Sequence, residues 1–174
     1  MPEPESLPPL PAHAPVPRAA TAAAPARRRL QLAWLATVVL AVPAAAVGWA
    51  MALAAAGLPA RPPATLGALA WMVVLVPLLE ECAFRGGLQP LLARQAALAG
   101  RSWAGVTAAN ALTSVAFAAL HLVNRSPAQA LAVLPASLLF GRACEDAGGR
   151  LWAPVALHAW SNACLAAALH LAAR

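Results

Sequence analysis

Trp71-Met-Val-Val-Leu-Val-Pro-Leu-Leu-Glu80-Glu81-Cys82-Ala83-Phe84-Arg85-Gly86-Gly87-Leu88 places three ionisable side chains in the middle of an apolar run. With its flanks the run covers residues 66–92, more than the roughly 20 residues that a bilayer-spanning helix needs. On insertion scales each charge costs roughly 2.5–3.5 kcal/mol, on the order of 8–10 kcal/mol together before any pairing. Ionisable groups at that cost mark a functional site by default. Glu81 and Arg85 are spaced i,i+4, about 40° apart around a helix, and can pair locally. Glu80 lies about 100° from Glu81 and about 140° from Arg85, so its partner must come from another segment.

The rest of the chain has the same character. Of 174 residues, 61% are hydrophobic and only 10% charged, outside the balance of a soluble domain. Five apolar segments, at about 30–52, 66–92, 103–122, 128–142 and 151–171, predict an all-α, polytopic transmembrane helical bundle of about five spans. The fourth is short and carries Pro135, which predicts a tilt or kink. Residues 1–29 are rich in Pro and Ala with no apolar period, and are expected to be a disordered cytoplasmic tail before a membrane domain at 30–174. Arg27-Arg28-Arg29 ahead of an apolar run also resembles a signal peptide, but the run from Leu30 to Ala56 is too long for that, and an uncleaved helix is expected.

The formal net charge is +6, yet the basic residues stand singly between apolar runs or cluster at Arg27 to Arg29. That is a pattern of membrane flanks, and no nucleic-acid partner is expected. Arg27 to Arg29, Arg94, Arg101, Arg142 and Arg150 fall on one side of a five-span model, against Arg61, Arg125 and Arg174 on the other. The positive-inside rule then puts the amino terminus in the cytoplasm, in a cell inner (plasma) membrane. Trp34, Trp103 and Trp152 lie near the inner arginines, as aromatic anchors do. The cysteines Cys82, Cys144 and Cys164 have neither even count nor CxxC spacing, so no disulfide framework is expected.

Two further polar constellations sit on apolar segments: Phe117-Ala-Ala-Leu-His121, and His158-Ala-Trp-Ser-Asn162. His158 and Asn162 are one turn apart on a common face. Asn110, Ser114 and His121 also share a face; Asn110 and Ser114 read as helix-packing residues. Taken together, Glu80, Glu81, Arg85, His121, His158 and Asn162 are too many intramembrane polar groups for independent packing roles. Amide hydrolysis by water needs a base, an orienting group and donors to the developing oxyanion, and Glu, His and a His/Asn pair can fill those roles.

The three ordered motifs resemble those of the CPBP family, the CAAX-protease and bacteriocin-processing membrane proteins. Glu80-Glu81-Cys82-Ala83-Phe84-Arg85 is similar to EExxxR, Phe117 to His121 to FxxxH, and His158 to Asn162 to HxxxN, so the resemblance covers about residues 66–171. It implies a glutamic-type intramembrane endopeptidase in which Glu80 and His121 activate water, and His158 and Asn162 stabilise the oxyanion. Glu81, Arg85 and Phe117 would be supporting residues, with no metal and no cofactor. Its implied partner is a membrane protein or C-terminally tagged peptide. The short chain further resembles compact members that process C-terminal sorting tags of the MYXO-CTERM or JDVT-CTERM type.

Other chemistries stay open on the residues alone. Glu80, His121 and His158 offer three ligands for a zinc peptidase, although HExxH spacing is lacking. Cys82 occupies an unspecified position of its motif with no His nearby in sequence, a poor nucleophile. A non-enzymatic scaffold or bacteriocin-immunity protein would keep the same fold, and a transporter lacks the expected internal repeat. Depth raises one conflict. If the third span began at Trp103, His121 would lie about 27 Å on, near the outer end, while His158 would be only about 12 Å from Arg150. For both to meet Glu80, the third span must tilt, start late, or follow an interfacial stretch between Arg94 and Trp103.

Overall fold

The computed structural model describes residues 23–55 and 62–173. Arg61, Arg174 and residues 1–22 of the expected tail lie outside the described residues. The chain divides into two compact units, Met1–Leu40 and Ala41–Arg174. Helix α1 spans Ala23–Ala55 and so begins before the expected boundary at Leu30. Its first turn is rich in Ala, a strong helix former, and Pro25 falls where a missing N–H is tolerated.

The second unit carries everything the three motifs contribute. Helix α2, Leu66–Ala93, is 28 residues of continuous helix and therefore about 42 Å long. Thr65 caps its start by accepting the Ala68 N–H at 3.1 Å. Two stretches widen to π geometry, Trp71–Leu75 and Phe84–Leu88, and each ends two residues before a proline, Pro77 and Pro90. A proline ring crowds the carbonyl four residues back and has no N–H to offer it, so widening the preceding turn relieves the clash.

After α2 the chain turns through residues 94–101 into a short hairpin, β1 Ser102–Trp103 and β2 Val106–Thr107. Ala104 and Gly105 both have positive φ, 49° and 79°, as a two-residue hairpin turn of the I′ kind requires. Helix α3, Ala108–His121, follows, and Thr107 caps it by accepting the Asn110 N–H. The third helix thus starts late, after an intervening hairpin, which removes the depth conflict.

The fourth segment is a correction to the expected span. It forms two helices, α4 Pro127–Ala132 and α5 Leu134–Asp146, broken at Val133. Pro135 sits in the first turn of α5, where it withholds the hydrogen bond that would continue α4. Helix α6, Trp152–Ala172, closes the fold. Among the described residues, two helices, α2 and α6, are long and apolar enough to cross a membrane, and α3 and Val38–Leu53 of α1 are shorter apolar helices. At 14 residues α3 is about 21 Å long, short of a bilayer core of about 30 Å. The fold is helical and membrane-like, with two candidate spans among the described residues where about five were expected.

Burial is inverted relative to a water-soluble domain. Glu81, Asn110, Thr113, Ser114 and Ser137 are fully buried, while Leu75, Leu79, Leu91, Val115 and Leu120 point outward. Small residues supply part of the apolar packing, as where Ala50 of α1 meets Ala168 and Leu169 of α6. Helix directions follow from the polar pairs. Arg85 meets Ser137 and Gln89 meets Gly141, so α2 and α5 run parallel. Glu81 meets His158 and Met72 meets Asn162, so α2 and α6 run antiparallel.

Candidate active site

Glu81 and Arg85 form the ion pair their spacing predicts, Arg85 Nη1 to Glu81 Oε1 at 3.2 Å, with both side chains fully buried. Arg85 is further fixed on α5, where its Nη2 donates to the Ser137 carbonyl and hydroxyl, each at 2.6 Å. The guanidinium also lies 5.1 Å from the centre of the Phe117 ring and 5.7 Å from that of Phe140, within cation–π range.

His158 of α6 stands between the two carboxylates. Its Nδ1 is 2.8 Å from Glu81 Oε1 and its Nε2 is 3.6 Å from Glu80 Oε2. A carboxylate only accepts, so ionised Glu81 places a proton on Nδ1 and aims Nε2 at Glu80. The ring is held flat by Phe140, stacked at 4.8 Å with planes 20° apart. Glu80 differs from its neighbour. Its side chain keeps 25% of its exposure, and among the described residues its partner is this one long contact.

His121, the last residue of α3, bonds through Nδ1 to the Phe117 carbonyl at 2.9 Å. A carbonyl cannot donate, so Nδ1 carries the proton and the neutral ring has its lone pair on Nε2. Phe117 joins the two histidines. Its ring centre is 4.7 Å from His121 and 6.0 Å from His158, and Phe84 meets it edge-on at 5.0 Å.

Asn162 is placed one turn beyond His158 and bonds directly to neither carboxylate. Its Nδ2 donates to the Met72 carbonyl at 2.8 Å. That carbonyl needs an outside donor, because the Val76 N–H bonds back to Trp71 in the π turn and Pro77 has no N–H. Asn162 therefore completes a backbone defect that Pro77 creates, and its second N–H is still available.

Several contributors carried no recognised sequence signal. Ser137, Phe140, Gly141 and Glu145 lie on α5, and Gln89 lies one turn beyond Arg85. Gln89 Nε2 donates to the Gly141 carbonyl at 3.3 Å and to Glu145 Oε1 at 2.9 Å, and Thr107 donates to the same oxygen at 2.6 Å. Two i,i+4 stripes, 81-85-89 on α2 and 137-141-145 on α5, thus face each other, and that repeat was the signal available in the sequence. Asn110 and Ser114 do pack helices. Asn110 donates to the Leu138 carbonyl at 3.0 Å and accepts from Ser114 at 3.2 Å. Among the described residues, no three His, Cys, Asp or Glu side chains group as a metal-ligand set.

The family model described as type II CAAX prenyl endopeptidase Rce1-like matches residues 62–164, more than half of the chain and every residue of the three motifs. The chain belongs to that family. Rce1-like membership makes it, in general terms, a CAAX-type intramembrane endopeptidase, a membrane hydrolase acting on peptide or membrane-protein substrates. No curated protein and no solved structure matches it.

Proposed function

We infer that the chain is a glutamic-type intramembrane peptidase that hydrolyses a peptide bond near the C-terminus of a membrane-associated or sorting-tagged precursor. The observation that carries this reading is the placement of His158 between a fully buried Glu81, whose Oε1 already pairs with Arg85, and a partly exposed Glu80 held by one long contact. Two carboxyl groups, the Arg85 guanidinium and the His158 imidazole meet in one group. That group can hold one mobile proton without net charge in an apolar surrounding.

Glu80 takes a proton from water while the water oxygen adds to the scissile carbonyl carbon, and His121 Nε2 orients the same water. The carbonyl oxygen becomes an oxyanion, met by the His158 Nε2–H and the second N–H of Asn162. The intermediate then collapses, the C–N bond breaks, and the proton held by Glu80 passes to the leaving amine. Donors that meet a developing charge are worth more in a site sheltered from water.

The substrate class follows the resemblance to compact sorting-tag members: a precursor with an apolar C-terminal tail, held in the bilayer. The amino terminus is cytoplasmic and the protein sits in the inner membrane, a reading supported by the positions of the arginines. Purified protein in detergent, incubated with a peptide carrying such a tail, should release one C-terminal fragment of defined mass. Cleavage that stops with chelator and returns with zinc would instead support the metallopeptidase alternative. A protein that binds the peptide without cutting it would support the scaffold alternative.

A further inference from the structure

We propose that Ser137, on a helix outside the three motifs, is a positioning residue for hydrolysis, acting through Arg85 and Glu81 on His158. The inference rests on the peptidase reading above only for its kinetic consequence. An unbroken line of polar contacts runs from Ser137 to Arg85, then Glu81, His158 and Glu80. Its two shortest members, both 2.6 Å, are the bonds from Arg85 Nη2 to the Ser137 hydroxyl and carbonyl.

The geometry explains why the hydroxyl matters. Arg85 lies in a π turn, and its Nε has no partner among the described residues. The pair with Glu81 is long at 3.2 Å and made through one oxygen, Oε1. That same Oε1 accepts from His158 Nδ1, while Glu81 Oε2 has no partner among the described residues. Phe117 and Phe140 lie within cation–π range of the guanidinium, an attraction that does not fix its hydrogen-bonding direction. Ser137 supplies that direction. Without its hydroxyl, Arg85 keeps the carbonyl contact but loses the second anchor, and Oε1 of Glu81 is free to rotate away from His158.

Ser137 is fully buried, so size and polarity have to be separated in the test. Ser137→Thr and Ser137→Val add nearly the same volume, but only Thr keeps a hydroxyl, and Ser137→Ala adds none. Losing a hydrogen bond to a charged group should lower kcat of the Ala and Val variants about tenfold with KM unchanged, and Thr should stay within about twofold of the parent. Isotope-labelled histidine, with the His158 ring assigned by comparison with His158→Gln, reports the positioning directly. The Nδ1–H resonance should broaden in Ala and Val and persist in Thr. Val matching Thr in both readouts, or an unchanged His158 resonance in Ala, overturns the proposal. If the parent cleaves no tailed peptide, the peptidase reading fails, and the His158 resonance alone decides the role of Ser137.

Discussion

Glu81 and Glu80 are neighbours on α2, yet they belong to differently built regions. Behind the helix, Glu81 is fully buried, and Oε1 is shared between Arg85 at 3.2 Å and His158 at 2.8 Å. The same face continues through Gln89, Glu145 and Thr107 as a run of short polar contacts that joins α2, α3 and α5. In front, Glu80, His121 and Asn162 are each partly exposed and lightly bonded: a 3.6 Å contact, a bond to the residue's own helix, and a bond to a backbone carbonyl. Committed polar groups hold the helices together. The partly exposed ones have hydrogen-bonding capacity that water and substrate can reach.

The contrast can be broken from the back. Arg85→Ala leaves Glu81 as a buried charge with a single His partner, and removing one member of a buried pair should cost about 3–5 kcal/mol of stability. Thermal unfolding in detergent would show it, and a variant melting with the parent would mean that the back region is not what holds the helices. Lys at position 85 should not restore the parent value, because an ammonium cannot reproduce the forked contacts to Ser137 and Glu81.

Asn162 sharpens the comparison because it serves both regions. If its second N–H meets the oxyanion, Asn162→Ala should lower turnover by roughly 10² to 10³, about 2.7–4 kcal/mol, while some cleavage persists through His158. The unsatisfied Met72 carbonyl adds a separate loss of about 1–3 kcal/mol of stability. Substrate binding measured alongside cleavage separates the two: binding lost as severely as turnover would make Asn162 a structural residue alone.

The smallest effect is expected at Gly141. A Cβ there would collide with the Asn110 carboxamide, so Gly141→Ala should overpack the α3–α5 contact by about 1–3 kcal/mol. Its catalytic constants should change little. A large fall in kcat at unchanged stability would show that back and front are not separable.

Much of this was legible in the sequence, for physical reasons. Three charges in an apolar run announce a site because the bilayer makes them costly, and i,i+4 spacing alone identified Glu81 as the partner of Arg85. That Glu80 needed a partner from another helix also followed from angle, and His158 supplies it. The count of spans did not follow. Hydropathy registers the segments at 103–122 and 128–142 but not the Ala104-Gly105 turn or the break at Val133 that shorten their helices. The partners of His158 and Asn162 were hidden as well. Which imidazole nitrogen meets which carboxylate depends on helix rotation, and the need of Met72 for a donor depends on a π turn that only the proline two residues later betrays.

The most direct measurement compares Glu80→Gln with Glu81→Gln in one purified preparation, scoring thermal unfolding, peptide binding and cleavage for each. The account predicts that Glu80→Gln melts and binds like the parent but cleaves nothing, because the attacking water has lost its base, while Glu81→Gln loses stability together with turnover. Residual cleavage by Glu80→Gln, or equal losses of folding and turnover in both variants, would contradict it.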